Sequence, residues 1–317
     1  MAAVLQLYIL CYNRAPLARQ AIQSALRQTA PFHLVISDNS TDDETQAMVA
    51  AEFSQLDYCR RVPSLKALDH FNLCIDEATA PYICLFHDDD LLDPHYVERM
   101  LAAIAARPDA VAFGTNAWIA EDGRPLRLSF DTRGEMHAVR DARQLASHYF
   151  GRYQMGIAPF PGYVYARAHL SGLRFDAAGG KYSDVSWLLR VVARGPMVWL
   201  TAPLMTYRLH ASNDSRSESI GDRLRLLAYF KRHEAAIGAQ VIEDFRFFVY
   251  KKALALEHAQ SHALPPARRH TMKNYLKRYR CRRVVRGDQH LALLRRTAVR
   301  LARRFSKPAG EMATGAR

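Results

Sequence analysis

Tyr82-Ile83-Cys84-Leu85-Phe86-His87-Asp88-Asp89-Asp90-Leu91-Leu92-Asp93-Pro94 is an apolar run that ends abruptly in three consecutive carboxylates. Adjacent carboxylates repel one another, and burying them unpaired is expensive. At a strand end they become tolerable with a divalent cation between them. Hard oxygen ligands suit magnesium or manganese, which commonly take one or two carboxylates together with substrate phosphates. A solvated acidic loop that caps the next helix accounts for the same residues. The flanking chain decides between the two readings.

Upstream, strand and helix signals alternate. The short apolar run Val4 to Leu10 reads as a strand. Asn13-Arg14-Ala15-Pro16 follows, with Pro16 suited to the first turn of a helix that runs to about Gln28. His33 to Ser37 is a second strand. The polar turn Asp38-Asn39-Ser40-Thr41-Asp42-Asp43-Glu44 contains Thr41-x-x-Glu44, a capping-box pattern, before a helix to about Phe53. A short segment near Arg61-Val62, a helix over 68–78 and the strand ending at the aspartates complete the series. Such interleaving predicts an α/β fold: a Rossmann-like, mostly parallel sheet with helices on both faces. Ligands of these sheets bind beyond the carboxyl ends of the strands, which gathers Asn13, Asp38 and Asp88–Asp90 on one rim. Over 110–210 the pattern is less regular. Val111 to Phe113 and Met197 to Leu200 read as strands, and Ser183 to Arg194 as a helix stopped by Gly195-Pro196.

The 317 residues suffice for one large core or two small ones. No apolar run has the length of a transmembrane helix, and the first ten residues read as a strand rather than a signal peptide. Five scattered cysteines without a CxxC pair argue against a disulfide framework or a zinc site. The net charge of +13 is uneven. Residues 1–221 hold 21 Lys+Arg and 24 Asp+Glu, whereas residues 222–317 hold 23 and 7. The expected division is a body over 1–221, a helical basic region over 222–305 and a disordered tail over 306–317.

Taken in order, Leu10-Cys11-Tyr12-Asn13-Arg14, Ser37-Asp38-Asn39-Ser40-Thr41-Asp42, Phe71-Asn72 and His87-Asp88-Asp89-Asp90 resemble the family 2 glycosyltransferases of GT-A fold. So do Ser183-Asp184-x5-Arg190-x4-Gly195 and Tyr207-Arg208-Leu209-His210 followed by Ser212. The resemblance covers about residues 4–215. It implies that residues 1–221 form a GT-A catalytic domain with a nucleotide-sugar donor lying across the strand ends. Tyr12, Asn13, Arg14, Asp38, Asn72, Asp88, Asp89 and Arg208 would then contact that donor, with Asp38 accepting the imide N–H of uracil or thymine. A carboxylate is the right acceptor for a lone N–H, although an Asp-Asn-Ser run also makes turns unaided.

The resemblance further implies a Mn2+ or Mg2+ cofactor on Asp89, Asp90 and His210, acting as a Lewis acid on the departing diphosphate. His87 stands where many members carry the first Asp of a DxD element, so either His87-x-Asp89 or Asp88-x-Asp90 can match it. Asp184 would be the general base toward the acceptor hydroxyl; many relatives carry Glu-Asp where this chain has Ser183-Asp184. One base opposite one held leaving group implies inversion at the anomeric carbon. Trp187 and Trp199 fit a core better than a sugar platform.

Residues 268–304 carry 14 Lys+Arg and a single acid, Asp288, at helical spacing with apolar positions. That pattern fits an anionic membrane surface, or helices packed on the body with arginines facing water. Nucleic acid is not expected, since no recognition module with matching aromatics is visible. The family resemblance implies a cell-surface polysaccharide or lipid-linked glycan as acceptor, with the chain in the cytoplasm and peripheral at the inner face of the plasma membrane. The competing classes are a metal-dependent nucleotidyltransferase or nucleotide-sugar hydrolase and a non-catalytic basic binding protein. The nucleotidyltransferase is disfavoured by the absence of glycine and lysine over Leu10–Pro16.

Overall fold

The computed structural model describes residues 3–132, 134–151, 155–211, 213, 219–260, 270 and 274. In chain order the elements are β1 (Leu5–Cys11), α1 (Ala15–Leu26), β2 (His33–Asp38), α2 (Glu44–Glu52), β3 (Asp57–Arg60), α3 (Ala67–Glu77), β4 (Tyr82–His87), β5 (Leu91–Leu92) and α4 (Tyr96–Ala106). They continue with β6 (Ala112–Glu121), β7 (Arg124–Leu128), β8 (Met136–Val139), α5 (Ala142–Phe150), β9 (Val164–Ala166), α6 (Ser183–Val192), β10 (Met197–Leu209), α7 (Ile220–Arg232), α8 (Glu234–Ile237) and α9 (Ala239–Gln260).

Among the described residues one sheet carries all ten strands, in the order β3-β2-β1-β4-β9-β6-β10-β5, with β7 on β6 and β8 on β10. The first four are mutually parallel, as are β6 and β10. Between the two groups β9 runs antiparallel to both β4 and β6. The fold is therefore the expected mixed α/β sheet with helices on both faces.

A strand buried on both faces reads as a continuous apolar run, and β1 is such a strand. Leu5, Leu7, Ile9 and Cys11 pack with Ala18, Ile22 and Ala25 of α1, Met48 and Val49 of α2, and Val97 and Met100 of α4. Tyr8 and Leu10 point the other way, into a core with Cys74 and Ile75 of α3, Leu145 of α5 and Trp187 of α6. That second core also holds Leu226, Leu227 and Phe230 of α7 and Phe245 and Val249 of α9. The Phe150 ring lies 5.7 Å from Phe230 and 4.2 Å from Phe245. Packing thus runs unbroken across residue 221, where the charge balance changes. Trp187 and Trp199 are fully buried.

Pro16 does sit in the first turn of α1. The Thr41 capping box does not form: α2 begins one residue after Asp43, without a side-chain cap. The Thr41 hydroxyl instead accepts a hydrogen bond from Asn13 Nδ2 at 2.9 Å, so its partner comes from another loop. Cys11, Cys59, Cys74 and Cys84 are free thiols. Among the described residues no helix is long and apolar enough to cross a membrane. Apart from residues 270 and 274, the basic stretch 268–304 lies outside the described residues, as do the tail 306–317, Cys281 and Ser212.

Where β6 passes the second core the packing leaves no room for a side chain. A Cβ on Gly114 would stand 2.8 Å from Ala158 Cβ and 3.0 Å from both Trp199 Cδ1 and Tyr163 Cε1. Gly114→Ala should therefore destabilise the protein by about 1–3 kcal/mol in urea unfolding. An unchanged midpoint would mean that these rings yield freely.

Candidate functional site

Three parallel strand ends build the rim. In register, Cys11 of β1 pairs with Asp38 of β2, and Leu10 with His87 of β4. The loops beyond them are stitched together. Tyr12 N–H donates to Asp88 Oδ2 at 2.9 Å, Asn13 N–H to Ser40 Oγ at 2.9 Å, and Asn39 N–H to the Cys11 carbonyl at 3.0 Å. Asn13 adopts a left-handed conformation with φ 52°, which Asn tolerates better than most residues. Its side chain grips Thr41 through both the hydroxyl and the main-chain N–H. Tyr12, Asn13, Arg14, Asp38 and Asp88–Asp90 therefore share one rim.

The aspartates are buried: exposure is 0% for Asp88, 7% for Asp89 and 0% for Asp90. Arg14 bridges the first two, with Nη2 at 2.6 Å from Asp88 Oδ1 and Nη1 at 2.6 Å from Asp89 Oδ2. The Arg208 main-chain N–H donates to Asp90 Oδ1 at 3.0 Å. Its guanidinium donates to the Asp89 carbonyl and to the Gln20 side chain. His210 Nε2 lies 3.0 Å from Asp89 Oδ2. Asn213 braces this segment, accepting the His210 main-chain N–H and donating to the Arg208 carbonyl.

The electrostatics divide the triplet. Burial pushes the Asp88 carboxyl up to about 7 against the pull of Arg14. Burial and then neighbouring Asp89 push Asp90 well above the ordinary carboxylate range, against the Arg208 N–H. For Asp89 the burial cost is outweighed by His87, Arg14 and His210, which hold it below that range. Asp90 Oδ2 is buried with no hydrogen-bond partner. Ionised, that oxygen is costly to leave unpaired, and a positive partner beside it would relieve the cost. A compact donor set surrounds the spot: ligand atoms of His87, Asp89 and Asp90 lie within 4.8 Å of one another. These residues fit a divalent cation. His210, expected among the ligands, is hydrogen-bonded to Asp89 through Nε2, and the compact set holds His87 beside Asp89 and Asp90.

Two expected donor contacts already have protein partners. Asn72 is committed to structure: its Nδ2 donates to the Phe175 carbonyl at 3.0 Å and its Oδ1 accepts the Phe175 N–H at 2.8 Å. Each of these atoms keeps one further hydrogen-bonding position, and the double grip on the Phe175 backbone fixes the amide's orientation. Asn72→Ala should cost about 1–3 kcal/mol by stranding those backbone groups, read by urea unfolding, with nucleotide affinity less affected than stability. Asp38 is fully buried, and its oxygens accept from Ser40 N–H at 2.9 Å, Tyr58 O–H at 2.6 Å and Arg60 Nη1 at 2.7 Å. Burial raises its carboxyl, but these donors outweigh burial and hold it below the ordinary range. A base contact by Asp38 must compete with partners already in place. Tyr58 and Arg60 escaped the sequence reading; their i, i+2 spacing puts both on one side of β3, and Arg60 pairs in register with Asp38.

Asp184 opens α6 in its first turn and is half-buried. Burial lifts its carboxyl to about 6, against the main-chain N–H groups of Val185 and Asp184 itself. Its charge reaches the buried phenols of Tyr149, Tyr163 and Tyr165. A chain of rings links α6 to the triplet: His87 to Phe160 at 5.6 Å, Phe160 to Phe175 at 5.6 Å, and Phe175 stacked on Trp187 at 4.0 Å. Arg190 of the same helix is held by Asp176 at 2.8 Å.

Glycosyl transferase family 2 matches residues 7–161, which span the rim and the triplet. No curated protein matches the chain by sequence. Among solved structures, S. aureus TarS 1-349 in complex with UDP-GlcNAc is similar with TM-score 0.61 and 13% identity, covering 87% of this chain and 80% of that one. Mannosyltransferase PcManGT from Pyrobaculum calidifontis, in complex with GDP-Man and Mn2+, is similar with TM-score 0.51 and 15% identity, covering 95% and 81%. At these identities the likeness concerns the fold.

Proposed function

The chain is a glycosyltransferase of family 2, and from that premise we propose that it transfers a sugar from a UDP- or dTDP-sugar to a hydroxyl group, with a divalent cation and with inversion. The observation that carries this reading is the buried triplet. The three carboxylates meet the Arg14 guanidinium and the Arg208 main-chain N–H, and Asp90 Oδ2 lacks a hydrogen-bond partner beside the His87, Asp89 and Asp90 donor set.

Bound there, Mn2+ or Mg2+ supplies charge stabilisation for a departing diphosphate. The protein's own groups do the rest. The Tyr12–Arg14 loop and Arg208 fix the triplet from either side. Asp184 takes the proton of the acceptor hydroxyl as that oxygen bonds to the anomeric carbon, and the bond from that carbon to the diphosphate oxygen breaks in line. A base whose carboxyl sits near 6 is ionised at neutral pH yet basic enough to accept that proton. A uracil or thymine base is favoured because the β2 end offers a carboxylate, Asp38, flanked by Tyr58 and Arg60.

The acceptor reading is a cell-surface polysaccharide or a lipid-linked glycan, reached from the cytoplasmic face of the plasma membrane. Its support is the basic composition of 222–317. Incubation of the full chain with Mn2+ and a panel of nucleotide-sugars tests the reaction. Nucleoside diphosphate should be released only when acceptor is present. Monophosphate or pyrophosphate as the product would indicate hydrolysis or nucleotidyl transfer and end this reading.

A further inference from the structure

His87 brings a nitrogen to a cluster otherwise made of carboxylates. Its imidazole is held firmly in place. Phe71 stacks along it with centroids 6.0 Å and planes 15° apart, and Phe160 leans on it at 5.6 Å. Phe175 lies edge-on to Phe71 at 5.1 Å, and Asn72 grips the Phe175 backbone at both its N–H and its carbonyl. His87 Nε2 is closed off from solvent. Across from it, Arg14 and His210 fix Asp89 Oδ2, while the fully buried Asp90 keeps Oδ2 without a hydrogen-bond donor. A rigid imidazole and an unsatisfied buried carboxylate oxygen are separate observations, and both point at the same spot.

We propose that His87 ligates the cation through its imidazole, and that the site therefore selects transition-metal ions over Mg2+ and Ca2+. The reason is donor chemistry. Mg2+ prefers oxygen ligands in a strict octahedron and sheds water reluctantly. A mixed nitrogen and oxygen site gains affinity from Mn2+ through Co2+ to Ni2+. The apolar walls that fix the ring keep the nitrogen from swinging aside for water, so the preference is built into the packing of α3 and the 160–175 segment. Replacing His87 by Asp restores an all-oxygen set and should level the preference. The inference rests on the metal-dependent reading above, yet it concerns which atoms bind and which ion wins.

The test uses the full chain with UDP present. Calorimetric titrations with Mn2+, Co2+ and Mg2+ should rank Mg2+ weaker than Mn2+ by about tenfold or more. Pulsed EPR of the Mn2+-loaded protein should show coupling to 14N, replaced by 15N coupling after growth on 15N-histidine. In His87→Asp the nitrogen coupling should vanish and the Mn2+ to Mg2+ preference should fall by about tenfold; in His210→Asn the coupling should persist. Tight Mn2+ binding with no nitrogen coupling in the unmodified protein overturns the inference and leaves metal-dependent transfer standing. So does coupling that survives in His87→Asp and disappears in His210→Asn. Absence of any divalent-ion binding sinks the metal-dependent reading and this inference together.

Discussion

Asp184→Asn should lower the rate of sugar transfer by about 10²–10⁴-fold while nucleotide-sugar affinity and fold are kept. The amide preserves the shape of the carboxylate at the start of α6 but cannot take a proton from the acceptor. The pH profile separates a base from a structural acid. With the carboxyl lifted to about 6 by burial, the unmodified enzyme should lose activity as pH falls through that value, and the variant should show no such limb. Stability should move oppositely. A folded-state value above the ordinary one means that the folded protein binds this proton more tightly than the unfolded chain. The associated stability is complete at low pH and is lost as pH rises to about 6. At pH 7 to 8 the Asn variant, spared a buried charge, should melt at the same temperature or higher. A variant with undiminished transfer removes Asp184 from the chemistry, and an unchanged pH limb assigns that limb to another group.

Asp89→Ala should abolish measurable metal binding and reduce transfer by about 10³-fold or more, since charge stabilisation at the leaving group is often the largest catalytic contribution. Asp89 is chosen over its neighbours because it meets every other part of the site: Arg14, His210 and the compact cation set. Arg14 keeps Asp88 as a partner, so no guanidinium is stranded, and one like-charge repulsion disappears. Circular dichroism and the thermal midpoint should stay near those of the unmodified protein. Calorimetry with Mn2+ gives the decisive comparison. Retained binding would move the cation away from the triplet, and with it the proposed route for the diphosphate.

The two halves of the sheet differed in how openly the sequence displayed them. In this group β1, β2 and β4 are short, largely apolar runs that end at the polar rim, because both of their faces are covered, whereas the edge strand β3, Asp57–Arg60, is polar and partly exposed and lies just before the segment expected near Arg61-Val62. Alternation with helical periodicity then leaves little choice but a parallel sheet. The other half was only partly visible. Met197 to Leu200 reads as a short strand, yet β10 runs to Leu209, past register shifts around Pro203. The three-residue β9 enters between β4 and β6 only because it finds free edges on both.

Sequence alone determined that carboxylates, a loop with Arg14 and the Asp38 turn would meet on one rim, since chain order and strand polarity suffice for that. It also displayed His87 beside the aspartates. Tertiary structure decided who partners whom. Arg14 lies 75 residues from Asp89, Asn72 lies 103 from Phe175, and Arg208 lies 118 from Asp90. No local periodicity encodes such distances. Side-chain hydrogen bonds are short-ranged and directional, so their partners are fixed only when strand register and helix packing have set the backbones within a few ångströms of each other.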